Sequence, residues 1–223
     1  MSLKADLVFF SKREYSGIRI GWAQEDPTLT WAGLFSHRKD FTRSGNPDLA
    51  FGLLPKGGKV LMAATGNVPG EHLEAVEILK AERTPYSEES YLRLVSKGSG
   101  IPFSRAKQER ISSPILLATV ARTETLRKIF GAYESWLYAW DFLLLGLIGD
   151  SAPWLSVMKE LATQREIDVP RHLIEDNAYL MITAQEHGAY VISNKLSRDM
   201  IQGVCEKICR ERGFELVVKD QQR

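Results

Sequence analysis

The chain predicts a mixed fold, α+β or α/β, on three observations. Its first third is cut by glycine and proline into short apolar runs, its middle carries a long helical stripe, and its last fifty residues alternate helix-like with strand-like stretches. The 223 residues are 44% hydrophobic and 26% charged, enough for a sizeable core and incompatible with wholesale disorder. Lysine and arginine number 29 against 28 acidic residues, so no global field draws the protein to nucleic acid or an anionic membrane; either partner needs a local patch.

Taken in order, residues 1–70 read as a β-rich part and residues 71–223 as a mainly helical part closed by a strand–helix–strand unit. No linker is long enough to force a boundary, so the two parts can also form one compact domain. Short strands are expected at Leu7–Phe10, Gly17–Trp22, Thr28–Leu34 and Lys59–Ala63, with Pro55-Lys56-Gly57-Gly58 as the turn before the last. Residues 71–83, EHLEAVEILKAER, place Leu73, Val76, Ile78 and Leu79 at helical spacing and stop before Thr84-Pro85.

From Thr123 the positions Leu126, Ile129, Phe130, Tyr133, Leu137, Trp140 and Leu144 follow one helical stripe, a central buried helix closing near Gly146 and Gly149. Within it the run Trp136–Ile148 has thirteen residues and contains Asp141. That is short of the roughly 20 apolar residues a spanning helix needs, so no membrane partner is expected. Ser151-Ala152-Pro153 opens a further helix that buries Leu155, Met158 and Leu161. Residues 171–187 predict a helix stopped by Gly188, and residues 189–193, AYVIS, a strand. Leu196, Met200, Val204 and Ile208 then mark a helix stopped by Gly213, before a strand at 214–218. Such a unit favours two parallel strands, with ligands gathering outside their carboxyl ends, where Ser193 and Asn194 lie.

Most catalytic signatures are missing from the sequence, including phosphate-binding glycine loops, the zinc-binding H-E-x-x-H and the serine nucleophile elbow. Lys56-Gly57-Gly58-Lys59 suits an exposed turn better than a phosphate cradle. His37, His72, His172 and His187 lack metal-ligand spacing. Cys205 and Cys209 share one helical face and read as a buried pair, which points to a reducing, cytoplasmic setting. The distinctive stretch is basic: between Tyr91 and Lys128, the cations Arg93, Lys97, Arg105, Lys107, Arg110, Arg122, Arg127 and Lys128 face only Glu109 and Glu124. Cations interleaved with Tyr91 and Phe103 suit a segment that follows a phosphate backbone.

A second clue lies in Asp176-Asn177, the hydrophobic strand ending in Ser193-Asn194-Lys195, and Arg198-Asp199. The region from Asp176 to the 214–218 strand resembles the second half of PIN-like and NYN ribonuclease domains. In that family acidic residues start a helix, and a strand ends in Ser-Asn-Asp with Arg-Asp soon after. The resemblance implies Asp176 and Asp199 as catalytic acids, with Glu175 and Asp150 as weaker candidates, around Mg²⁺ or Mn²⁺. Lys195 stands where the family has an aspartate, and no early strand ends in an acid, so the implied metal site is depleted.

With no complete active site, the sequence favours a non-catalytic nucleic-acid-binding subunit of a larger ribonucleoprotein or nucleic-acid-processing complex, needing no cofactor. It would meet RNA or DNA through the basic stretch and protein subunits through apolar surface such as Trp22 or Trp31. The alternative is a PIN/NYN-like metal-dependent ribonuclease with a weakened site.

Overall fold

The computed structural model describes residues 3–10, 26–65, 77–85, 112–132, 142–163, 169–184 and 188–221. The protein is α+β. Its described strands are β1 (Leu3–Phe10), β2 (Thr30–Phe35), β3 (Lys59–Thr65), β4 (Glu77–Pro85), β5 (Ser112–Val120), β6 (Phe142–Leu147), β7 (Tyr179–Ala184), β8 (Gly188–Ser193) and β9 (Phe214–Gln221). The helices are α1 (Lys39–Gly52), α2 (Thr123–Ala132), α3 (Leu155–Thr163), entered through a 3-10 turn at Ala152–Trp154, α4 (Arg171–Glu175) and α5 (Arg198–Glu211). All nine strands form one sheet in the order β4-β5-β3-β6-β7-β8-β2-β1-β9, antiparallel throughout except for the β1–β9 pair.

Helices pack on both faces. One face buries Leu7, Val60, Met62, Leu144 and Met181 against Leu49 of α1, Ile129 of α2 and Ile201 and Cys205 of α5. The other buries Leu61, Leu143, Leu145 and Ile182 against Met158 of α3 and Leu173 of α4. A strand covered on both faces is apolar at every position, which explains β6, FLLLGL, buried along its whole length. The expected long helix therefore ends at Ala132, and residues 142–147 form a central strand; residues 133–141 lie outside the described residues. Continuous apolarity cannot by itself separate the two structures.

Three further expectations are corrected. Residues 77–85 form the edge-strand β4, so the helix expected over 71–83 is replaced there. Residues 171–187 split into the short α4 and the strand β7, with Gly188 opening β8 instead of stopping a helix. Gly188 has φ 151°, and a Cβ there would meet the Leu34 carbonyl oxygen at 2.1 Å, so close strand approach accounts for this glycine. The 1–70 part, expected to be β-rich, also contains the fourteen-residue α1.

Other elements stand as expected. The 3-10 turn carries Pro153 in its first turn and leads into α3, where Met158 and Leu161 are buried. Gly213, at φ 71°, ends α5 ahead of β9. Through β2 and β1, β8 and β9 run parallel, as the strand–helix–strand reading requires, with those two strands between them. The buried face of α5 is Ile201, Cys205, Ile208 and Cys209, whereas Met200, expected inward, is exposed. Trp31 is also buried, in the second cluster, so it offers no surface to a protein partner; Trp22 and the strand expected over 17–22 lie outside the described residues.

α1 depends on its neighbours. It contains Pro47, which removes one helical hydrogen bond, and has no side-chain cap at its start. Its C-terminal turn would leave the Ala50 carbonyl orphaned, since the Leu54 amide donates to Phe51. The hydroxyl of buried Tyr179 fills that gap, donating to the Ala50 oxygen at 2.6 Å, and burial pushes its phenol well above the usual range. The Tyr179 ring in turn lies over Gly146 on β6, where an added Cβ would come within 2.5 Å of it.

Candidate nucleic-acid interface

The strand registers bring one set of chain ends to one end of the sheet. Val60 pairs with Val120, Gly146 with Tyr179, Leu180 with Ile192, and Thr30 with Ser193. The carboxyl ends of β5, β6 and β8 therefore lie alongside the starts of β3, β7 and β2. Most of the described residues singled out from the sequence lie at or just beyond this end.

On the β3–β5 side is a cationic corner. The turn before β3 closes with the Gly58 amide donating to the Pro55 carbonyl at 2.9 Å, and Gly57 takes φ 80°, a left-handed conformation suited to glycine. Lys56 and Lys59 flank it. Lys59 precedes Val60 and Arg122 follows two residues after its partner Val120, so the register brings both to the same end of the β3–β5 pair. The three side chains are exposed, and no hydrogen bond or ion pair engages them among the described residues. The lysines and Arg122 are about sixty residues apart in sequence, so only strand pairing could bring them together.

Of the basic stretch, Arg93, Lys97, Arg105, Lys107 and Arg110 lie outside the described residues. Lys128 is exposed on α2. Arg127 is a correction: its guanidinium is held by Asp48 of α1, with Nε 3.0 Å from Oδ1, and by Glu124 at 3.1 Å. The Asp48 bond, with the surrounding carboxylate charges, raises its already high pKa. Arg212, just past α5, takes the other Asp48 oxygen. Asp48 thus ties α1 to α2 and to the end of α5, and Arg127 serves that structure instead of waiting for phosphate.

Asp176, Ser193, Asn194 and Lys195 do come together where β7 starts and β8 ends. The Ser193 hydroxyl donates to the Ala178 carbonyl at 2.6 Å and accepts from the Lys195 and Leu196 amides at 2.9 and 3.0 Å, so its capacity is filled structurally. Lys195 Nζ donates to the Glu175 carbonyl at 2.6 Å, capping the end of α4. Asp176 is exposed and leads into a strand, where the family pattern has a helix. Asp199 is exposed in the first turn of α5, where the helix dipole favours an acid. Its neighbour Arg198 pairs with Asp220 and lies 4.3 Å from the Phe9 ring centre.

Among the described residues no three histidine, cysteine or acidic side chains form a group able to hold a metal ion. The donor set around Asp176 includes an ammonium in place of a second carboxylate, so it does not fit Mg²⁺ or Mn²⁺. Among the described residues no helix is long and apolar enough to cross a membrane. No family model, curated protein or solved structure matches the chain.

Proposed function

We propose that the protein binds nucleic acid through phosphate contacts, as a non-catalytic cytoplasmic subunit of a larger ribonucleoprotein or nucleic-acid-processing complex. The observation that carries this reading is the corner of Lys56, Lys59 and Arg122, three exposed cations brought to one end of the sheet without acid partners among the described residues. Cations so placed displace condensed counterions from a phosphate backbone and give affinity without reading sequence. The two unbridged cysteines accord with a reducing compartment.

The test is fluorescence anisotropy with a single-stranded RNA and a duplex DNA across a salt series. Affinity should fall as salt rises. A Lys56→Ala/Lys59→Ala/Arg122→Ala variant should lower the slope of log K against log salt by about 2 to 3, since each phosphate contact contributes about 0.7 to 0.9. Its folding stability should stay within about 0.5 kcal/mol of the parent, because these side chains hold nothing else among the described residues. Binding that ignores salt, or an unchanged slope in the variant, overturns the reading.

The ribonuclease alternative draws on the hydrogen bonds that join residues 175–178 to Ser193 and Lys195, the juxtaposition implied by the family resemblance. It requires Mn²⁺-dependent cleavage of the same RNA, lost in Asp176→Asn. Absence of cleavage removes it and leaves the binding reading intact.

A further inference from the structure

At the same end of the sheet, on the α1–α5 side, a cavity of about 260 Å³ opens to solvent. Leu53 and Leu54 after α1, Ile148 after β6, and Leu196, Met200 and Val204 around the first turns of α5 wall it. Ile148 and Met200 are 52% and 54% exposed, so a soluble chain leaves two large apolar side chains uncovered at one opening. Among the described residues, Lys195 is the one charged residue in the lining. Its ammonium spends one hydrogen on the Glu175 carbonyl and meets no carboxylate among the described residues.

We infer that this cavity binds a medium-chain carboxylate, with its alkyl tail among Leu53, Leu54 and Val204 and its head on Lys195. The two remaining ammonium hydrogens suit a carboxylate, and the first turn of α5 adds the positive end of its helix dipole to the same wall. Asp199 of that turn is exposed and outside the lining. At about 30 Å³ for each water-sized group, the volume takes about eight or nine such groups, enough for the eight carbons of octanoate with its carboxylate oxygens at the open mouth. The charged head alone would not account for the uncovered isoleucine and methionine, and a neutral tail alone would leave the lysine without a counterion. The site uses none of the three cations assigned to nucleic acid, so the two readings stand or fall separately.

Calorimetric titration of the full chain with octanoate, octanol and acetate tests this. Octanoate should bind saturably, and acetate, lacking the tail, at least about tenfold more weakly. Lys195→Met should weaken octanoate about tenfold while leaving octanol within about twofold, and Lys195→Arg should keep octanoate within about threefold. The proposal is overturned by no saturable octanoate binding to the unaltered chain, by acetate matching octanoate, or by Lys195→Met affecting octanoate and octanol alike. If Lys195→Met fails to fold, Lys195→Arg and the acetate comparison decide the matter on their own.

Discussion

Arg122 and Arg127 lie five residues apart on the same basic stretch, yet their surroundings are opposite. Arg127 reaches across to α1, where Asp48 also receives Arg212, so the layer formed by α1, α2 and α5 consumes its charges internally. Arg122 lies at the end of β5 with the lysines of a facing turn and no acid to meet them among the described residues. Local charge density in a sequence therefore says little about binding until the partners supplied by distant segments are known. A carboxylate seventy-nine positions away converted one of two similar arginines into structure.

The sharpest way to break this contrast is Asp48→Asn. The Asp48 side chain is only 13% exposed and serves two guanidinium groups, so the substitution takes a shared carboxylate from both and leaves Arg127 with Glu124. Loss of about 2 to 3 kcal/mol is expected in urea unfolding, below the cost of breaking a fully buried pair because Arg127 remains partly solvated. A loss no larger than that of the Lys56/Lys59/Arg122 variant would erase the distinction drawn between the two regions.

Next in size is Tyr179→Phe, which keeps the ring over Gly146 but removes the hydroxyl from the Ala50 carbonyl. A cost of about 1 to 2 kcal/mol is expected, because a buried helix-end carbonyl loses its partner. Since the bond joins β7 to α1, hydrogen exchange should accelerate in α1 more than in α3. Uniform acceleration would show that the helical layer does not lean on this contact.

The dependence of α1 on such contacts also explains what could be read from sequence. α5 and β9 were legible because an apolar recurrence and a glycine stop agree with one another, and the structure adds a capping Ser197 at the helix start. α1 was not: residues 45–47 read Gly-Asn-Pro, a local signal for a turn, and the helix survives on Asp48, Tyr179 and the packing of Leu49 and Leu53. β6 failed for the reverse reason, since a strand buried on both faces shows no period of two. Of the candidate interface, Arg122 was visible as part of a basic run. Lys56 and Lys59 were visible only as a turn, and their meeting with Arg122 needs the register of two strands far apart in sequence. The bury-by-four reading of α5 placed its stripe one position away from the true face, which let Met200 pass for core and hid the opening beside Lys195.

The smallest effect distinguishes the helical layer by pH. Cys205 and Cys209 face the α1 side of the sheet. Burial pushes the Cys209 thiol up to about 11 from an ordinary 9.0, while Cys205 is raised further by burial, then by Cys209 and Glu206. A raised folded-state pKa means the native chain holds its protons where the unfolded chain releases them. The stability this confers is complete below pH 9.0 and is lost progressively as pH climbs from there through about 11. Urea unfolding should thus show a loss of under about 1 kcal/mol by pH 9 and a steeper one beyond it. Cys205→Ala/Cys209→Ala, though less stable overall from the lost packing, should show a flatter profile over that window. An equally steep profile in the double variant would place the alkaline sensitivity outside the helical layer and weaken the view that this layer, unlike the strand-end corner, keeps its titratable groups for structure.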